Sequence, residues 1–91
     1  MGIPYNGEAW SGPLGAAVRA RRVELGLTQQ RLASQAGMSQ GALSRLECGK
    51  GVPTLPLLER LAAAMAASLL IALSPRGDVR VAFRAPVPPA G

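Results

Sequence analysis

The chain has no histidine and only five acidic residues, and these absences argue against most kinds of catalytic site. Acid–base and nucleophilic catalysis need a base near a nucleophile or a pair of carboxylates, and the sequence offers no such set. A structural metal site needs several ligands, whereas one cysteine stands here without any histidine. The sequence therefore predicts that the protein is not an enzyme and that it uses neither a metal nor a cofactor.

Cys48 is the only cysteine, so no disulfide can form within the chain, which is typical of a reducing compartment. No charged-then-apolar leader is visible, and no apolar run approaches the roughly 18 residues that a membrane helix needs. These features predict a cytoplasmic protein without a membrane partner. Cys48 itself is expected to be a silent thiol, and a redox switch is the alternative.

Aromatic side chains are also scarce, since one Trp, one Tyr and one Phe are spread over 91 residues. Leucine, valine and alanine must therefore fill the core of what is expected to be a single small domain. Ten Lys and Arg residues against five acids give a net charge of +5. This excess suits a polyanion such as nucleic acid, although an acidic membrane surface would also attract it.

Local patterns divide the chain into four parts. Residues 1–12 carry Gly, Pro, Asn and Ser without periodicity and are predicted to be a flexible arm. Residues 13–66 have the apolar spacing of helices, and residues 67–84 contain two alternating segments around a turn. Residues 85–91 form a proline-rich tail that is predicted to be disordered.

Capping signals predict four helices within residues 13–66. The first runs from about Pro13 to Leu25, since proline suits the first turn of a helix. The other three helices each follow a hydroxyl residue that can serve as an N-cap. The second is predicted from Thr28 to about Gln35, the third over about 39–48 (Ser39 to Cys48), and the fourth from Thr54 onward. Arg21 falls in the apolar stripe of the first helix and is expected to reach the edge of the core. The fourth helix is expected to bury the side formed by Leu55, Leu58, Leu61, Ala62 and Met65.

Residues 28–47 are the most informative stretch, because they read as two short helices joined by a tight turn. Ala33 is small enough for the helices to approach closely, and Gly37 has the backbone freedom that a sharp turn needs. Leu43 and Leu46 lie three residues apart and are expected to face inward. This pattern predicts a helix-turn-helix, a unit that reads DNA.

A helical wheel separates two sides of the third helix. Ala42, Leu43 and Leu46 are expected to point into the core. The opposite side presents Ser39, Gln40, Gly41, Ser44 and Arg45. Glutamine can pair bidentately with adenine and arginine with guanine in the major groove, which predicts a base-reading surface. The alternative is that these residues form an ordinary solvated face.

Phosphate contacts are expected around this surface. Gln29 begins the second helix, where backbone N–H groups are free, and Lys50 lies in the glycine-flanked loop after the third helix. Glu47 lies on the flank of the third helix, where an unpaired acid would repel DNA. Arg22 is its candidate partner, and the pair is predicted to hold the third helix against the first.

Residues 67–84 are predicted to form a β-hairpin, because apolar residues alternate on both sides of a turn sequence. A fifth helix over residues 67–73 is the alternative. The apolar residues of the hairpin are Leu69, Ile71, Leu73, Val79, Val81 and Phe83. This surface is expected to pack on the fourth helix and to form a homodimer contact, since two DNA half-sites require two copies.

The span from Leu14 to about Met65 resembles the phage-repressor, or Cro/Xre-type, helix-turn-helix family. The residues that carry the resemblance are Arg22, Gly26-Leu27-Thr28-Gln29, Leu32-Ala33, Gly37, Ser39-Gln40, Leu43, Leu46-Glu47, Gly49-Lys50, Pro53 and Leu57. The resemblance implies a compact helical domain that binds palindromic operators as a dimer. It implies DNA contacts at Gln29, Ser39, Gln40, Gly41 and Arg45, and an ion pair between Arg22 and Glu47. Gly41 and Arg21 depart from the side chains common in the family.

The sequence thus predicts a mainly α protein, a compact four- to five-helix repressor-like domain with a C-terminal β-hairpin. Its function is predicted to be that of a dimeric repressor that binds double-stranded DNA at a palindromic operator. The tail beyond Ala66 resembles, more weakly, that of Xre-type antitoxins, in which a C-terminal strand pairs with its twin. The alternative function is accordingly an antitoxin that binds a toxin protein and regulates its own operon.

Overall fold

The computed structural model of the protein describes residues 8–51 and 53–85. Helices and strands follow one another as α1 (Glu8–Glu24), α2 (Gln29–Ala36), α3 (Gln40–Glu47), α4 (Leu55–Ala64), β1 (Ser68–Leu73) and β2 (Val79–Arg84). The predicted mainly helical fold with a C-terminal hairpin is confirmed. None of the helices in the described ranges is both long and apolar enough to cross a membrane.

Three hydroxyl side chains begin α2, α3 and α4, as the sequence predicts. Thr28, Ser39 and Thr54 have extended backbones, and each accepts a hydrogen bond from the backbone N–H three residues later. The three N–H groups belong to Arg31, Ala42 and Leu57, at 3.0, 3.1 and 3.3 Å. Such a bond satisfies one of the N–H groups that a helix start leaves without a backbone partner.

The four helices end in the same way, with a residue in the left-handed backbone region. In α1, α2 and α3 that residue is a glycine, but in α4 it is Ala66, whose φ is 48°. The N–H groups of Ala66 and Ala67 bond to the carbonyls of Ala63 and Ala62 at 3.1 and 3.0 Å. This is a Schellman motif, which normally has glycine at the position that Ala66 occupies.

Helix α1 begins at Glu8, earlier than the predicted start at Pro13, so residues 8–12 are helical and do not belong to a flexible arm. The cause is a tertiary contact, because Ser11 is buried and its hydroxyl donates to the carbonyl of Gly51 at 3.0 Å. Pro13 therefore lies inside the helix, where it lacks an N–H to donate. Residues 1–7 and 86–91, the remainder of the predicted arm and nearly all of the predicted tail, lie outside the described residues.

The core is formed by apolar side chains from all four helices, and alanine and leucine dominate it. Its buried members are Leu14, Val18, Leu32, Ala33, Ala36, Leu43, Leu46, Leu58, Leu61 and Met65. Leu55, expected in this core, is 68% exposed. It is the first residue of α4, and side chains on a helix tilt toward the N-terminus, so Leu55 projects beyond the end of the packed layer.

The hairpin pairs β1 with β2 in antiparallel register, from Ser68 opposite Arg84 to Leu73 opposite Val79. The alternative of a fifth helix over residues 67–73 is therefore wrong, because β2 supplies β1 with backbone partners along its whole length. The turn is closed by Ser74, whose hydroxyl accepts from the backbone N–H of Asp78 at 3.1 Å.

The hairpin packs on two helices. β1 contacts α4, as the sequence predicts, and β2 contacts α1. Leu69, Val81 and Phe83 pack against the core of their own chain. Toward the turn the same face leaves the helices, so Ile71 is 42% exposed and Leu73 is 70% exposed. Of the six apolar residues predicted for the dimer contact, only Ile71 and Leu73 are thus exposed, and the other four are half-buried.

Candidate nucleic-acid interface

The helix-turn-helix unit is assembled from α2 and α3, which pack against each other through small and branched apolar residues. Ala33 is 1% exposed, so α2 meets α3 with little side chain between the two backbones. The turn passes through Gly37, whose φ of 70° lies in the left-handed region. Leu43 and Leu46 anchor α3 in the core, and its opposite side faces solvent.

The outer side of α3 presents an exposed polar surface, which we call the α3 face: Ser39, Gln40, Gly41 and Arg45. Nothing lies within 4 Å of the place where a Cβ on Gly41 would stand, so the backbone there is open to an approaching molecule. The hydroxyl oxygen of Ser39 accepts the capping bond and still has its own proton to donate.

The helical wheel was wrong about Ala42, which is exposed, whereas Ser44 is half-buried on the opposite flank. The buried side of α3 is therefore rotated from Ala42 toward Ser44. The cause is the close approach of α1, because a Cβ on Gly15 would lie 2.3 Å from the carbonyl oxygen of Leu46. Sequence reasoning missed Gly15, although a glycine inside a helix is a signal for close backbone approach.

Two predicted phosphate contacts occupy different surroundings. Lys50 is exposed in the loop that follows α3. Gln29 is half-buried, and its side-chain amide donates to a Glu47 carboxylate oxygen at 3.1 Å. The side chain of Gln29 therefore supports Glu47.

Arg22 and Glu47, which the sequence assigns to each other, form a bidentate ion pair. Arg22 Nε lies 2.7 Å from one Glu47 carboxylate oxygen, and Nη2 lies 2.9 Å from the other. The third nitrogen, Nη1, donates to the carbonyl of Leu27 at 2.9 Å. Only 13% of the Arg22 side chain and 3% of the Glu47 side chain are exposed. Hydrogen bonding to Glu47 raises the pKa of the Arg22 guanidinium, although burial opposes that change.

This cluster determines the charge that α2 and α3 present to solvent. Glu47 is the only acidic residue between Leu25 and Thr54, and its carboxylate is buried against Arg22 and Gln29. The exposed charges that remain in this segment are the cations Arg31, Arg45 and Lys50. The arrangement therefore offers hydrogen-bond donors and positive charge without a competing exposed carboxylate.

Two further arginines hold the helices in position. Arg21 donates from Nε and Nη2 to the carbonyl of Met65, at 3.2 and 3.1 Å, and pairs with Glu24. Arg60 donates to the carbonyl of Ala36 at 2.8 Å. These three hydrogen bonds satisfy two carbonyls at helix C-termini, where cations are also favoured by the helix dipole. Arg21 thus crosses from α1 to the end of α4, which explains a charge in an apolar stripe.

Comparison with known proteins places this geometry in a family. A model of the helix-turn-helix domain matches residues 13–70, more than half of the chain. An uncharacterised HTH-type transcriptional regulator of Methanothermobacter thermautotrophicus is 42% identical over 48 residues, which cover 53% of this chain and 70% of that protein.

Two solved structures are also similar. The clp gene regulator ClgR from Corynebacterium glutamicum is 38% identical, with a TM-score of 0.63 over 64% of this chain and 62% of that one, somewhat under two thirds of its length. The restriction-modification controller protein C.AhdI from Aeromonas hydrophila is 28% identical, with a TM-score of 0.61 over 63% of this chain and 86% of that one. The chain belongs to the helix-turn-helix family of DNA-binding transcriptional regulators, with the Cro/Xre-type arrangement that its sequence resembles.

Proposed function

We propose that the protein is a dimeric repressor that inserts α3 into the DNA major groove at a palindromic operator. The observation that carries the proposal is the α3 face, an exposed polar surface beside which the only acid of the segment is buried in an ion pair. An α-helix fits the major groove, where every base pair has a distinct pattern of donors and acceptors.

Base recognition is assigned to the two long side chains of the α3 face. Gln40 can donate to and accept from adenine, and the guanidinium of Arg45 can donate to both acceptors of guanine. Gly41 has no side chain, so it adds close approach of the backbone in place of a polar contact. Ser39 stands at the helix start, where its hydroxyl can donate to a phosphate. Ser44 is half-buried and reaches the groove only at the flank.

Backbone contacts are assigned to the cations and N–H groups around this surface. Lys50 is exposed just after α3, and Arg31 is exposed on α2. The start of α2 adds N–H groups, as helix N-termini do at phosphates. The amide oxygen and the second amide proton of Gln29 remain available, since only one proton is used by Glu47.

Two copies are needed because one α3 face reads only a few base pairs. Helix-turn-helix dimers bind two DNA half-sites whose centres lie about one turn of the DNA helix apart, roughly 34 Å. A two-fold dimer would place one α3 on each half-site. The exposed apolar residues of the hairpin supply a surface for that dimer. A bound dimer represses by occupying the operator, and a cytoplasmic protein meets the DNA directly.

The test is to select bound sequences from a random DNA pool with the full chain and with Arg45→Ala. The wild-type protein should select a palindrome, and Arg45→Ala should lose one guanine preference per half-site, a loss of about 1–3 kcal/mol in discrimination. Arg80→Ala is the matched control, because it removes the same charge from an exposed arginine on the hairpin. If Arg45→Ala selects the same palindrome as the wild type, α3 is not the base-reading helix.

A further inference from the structure

We propose that an apolar groove between α4 and β1 is the contact surface between two copies of this chain, and that it receives the hairpin tip of the second copy. The groove, called here the α4–β1 groove, is lined by Leu55, Leu58, Glu59, Ala62, Leu69 and Ile71. The inference rests on the dimer proposed above and assigns that dimer to one part of the surface.

Exposed apolar side chains lie both along the groove and at the hairpin tip. Leu55 is 68% exposed at one end of the groove, and Ile71 is 42% exposed along its β1 side. Leu73, the last residue of β1, is 70% exposed at the hairpin tip. Leu55 and Ile71 line the same groove, and exposed apolar residues that adjoin one another can mark an interaction surface. The groove and the tip therefore each lack an apolar partner that the other can supply.

The charges of the groove and the tip are complementary. Glu59 is exposed and is the only charged residue that lines the groove. Its side chain forms no ion pair with any residue in the described part of the chain. The hairpin turn carries the exposed Arg76. Arg76 forms no ion pair within the described residues, so it is available to pair with the partner's Glu59, while Asp78 of the same tip is hydrogen-bonded to Ser74.

The other face of the hairpin does not offer the same match. It is formed by the exposed residues Ser68, Leu70, Ala72, Arg80, Ala82 and Arg84. Two copies packed face to face there would bring four arginines together without an acid from either hairpin face. Like charges at an interface are unfavourable, so this face is a poor surface for self-association.

Symmetry makes the groove contact reciprocal. In a two-fold dimer the tip of one copy lies in the groove of the other, and the second tip lies in the first groove. Each Leu73 then packs near the partner's Leu55 and Ile71, and each Arg76 approaches the partner's Glu59. The hairpin packs on α1 and α4, while α3 packs on α1 and α2, so the contact leaves the α3 face open.

The experiment measures the dimer dissociation constant of the full chain by sedimentation equilibrium. Leu73→Asp should raise it at least about tenfold, because a carboxylate cannot be buried unpaired in an apolar groove. Leu70→Asp is the matched control, since it introduces the same charge on the opposite hairpin face and should leave the dissociation constant unchanged. Circular dichroism checks that both variants fold, as expected for side chains that are 70% and 46% exposed.

A charge exchange tests the ionic contact separately. Glu59→Arg should raise the dissociation constant several-fold, and adding Arg76→Glu to it should restore a value near that of the wild type. If Leu73→Asp leaves the dissociation constant unchanged, or if Leu70→Asp raises it equally, the groove assignment is overturned and the proposed function is left intact. A wild-type monomer at about 100 μM, with or without DNA, would overturn the dimer itself, whereas base reading by α3 would still be judged by Arg45→Ala.

Discussion

Single side chains in this protein connect elements that are far apart in the sequence. Arg22 belongs to α1, Glu47 ends α3 and Gln29 begins α2, so one carboxylate joins the three helices that carry the α3 face. The pKa of the Arg22 guanidinium is raised by its hydrogen bonds to Glu47, so the arginine's own contribution to stability is fully present below its unfolded pKa and is lost only as pH rises through the raised value. Arg22 therefore stays protonated near neutral pH, and the ion pair is not lost there by deprotonation of its guanidinium.

Glu47→Ala should lower the free energy of unfolding by about 3–5 kcal/mol, because it leaves the Arg22 guanidinium buried without its carboxylate partner and with only the Leu27 carbonyl as acceptor. Chemical denaturation measures the change, and Glu24→Ala is the control, since Glu24 is 68% exposed and its surface ion pair with Arg21 should contribute less than about 1 kcal/mol. DNA binding of Glu47→Ala should weaken without a change in the bases preferred. A stable Glu47→Ala protein with a new base preference would contradict this structural role.

Among the described residues that end a helix in the left-handed region, Ala66 alone is not glycine. Ala66→Gly should raise the free energy of unfolding by about 0.5–1 kcal/mol, since the left-handed conformation disfavours a Cβ. Thermal or urea unfolding of the two proteins gives the difference. Ala63→Gly is the control, because the same change inside α4 should destabilise it by a similar amount. Equal destabilisation by both changes would show that Ala66 is not strained.

At the scale of elements, α3 is positioned by backbone contacts as much as by side chains. α1 approaches the end of α3 at Gly15, and the loop after α3 approaches α1 at Gly49, where a Cβ would stand 3.1 Å from the Cα of Gly12. Helix α1 thus supports α3, the helix that we propose reads DNA. A change on α1, far from any DNA contact in sequence, should therefore alter DNA binding.

Gly15→Ala should lower the free energy of unfolding by about 1–3 kcal/mol, because its Cβ collides with a backbone oxygen that cannot rotate away. The structural control is Gly41→Ala, whose Cβ meets nothing within 4 Å. Gly41→Ala should raise stability by up to about 1 kcal/mol through better helix propensity. Urea unfolding separates the two, and a stability gain for Gly15→Ala would refute the close approach.

At the scale of the whole molecule, net charge and the proposed two-fold symmetry bear on how tightly this small domain would bind DNA. The net charge of +5 is modest, and the exposed cations of the α2–α3 segment are few. Each phosphate neutralised releases counterions, so affinity should fall steeply as salt rises. In the proposed dimer, two copies would double the number of phosphates that are neutralised and the number of bases that are read.

Lys50→Ala should weaken binding to all sequences alike. It should reduce the salt slope by about 0.9 for each phosphate that is no longer neutralised, hence by about 1.8 in a dimer. Fluorescence anisotropy at several salt concentrations measures the slope. Arg80→Ala serves again as the control, because it changes net charge equally from the hairpin. A slope that drops equally for both variants would mean that Lys50 acts only through net charge.

The sequence by itself determined the elements of this protein, because the signals that produce them are local. A hydroxyl at each start of α2, α3 and α4 bonds an N–H three residues away, and alternation in β1 and β2 needs only neighbouring residues. The sequence also predicts the pairing of Arg22 with Glu47, because both the helical wheel and the resemblance indicate it.

The tertiary structure alone decided how these elements meet, because burial depends on which surfaces come into contact. The start of α1 at Glu8 depends on a hydrogen bond across forty residues, from Ser11 to Gly51. The rotation of α3 that exposes Ala42 depends on how near Gly15 lets α1 approach. No periodicity in a sequence reports the distance between two backbones, and that distance sets which side of α3 faces outward.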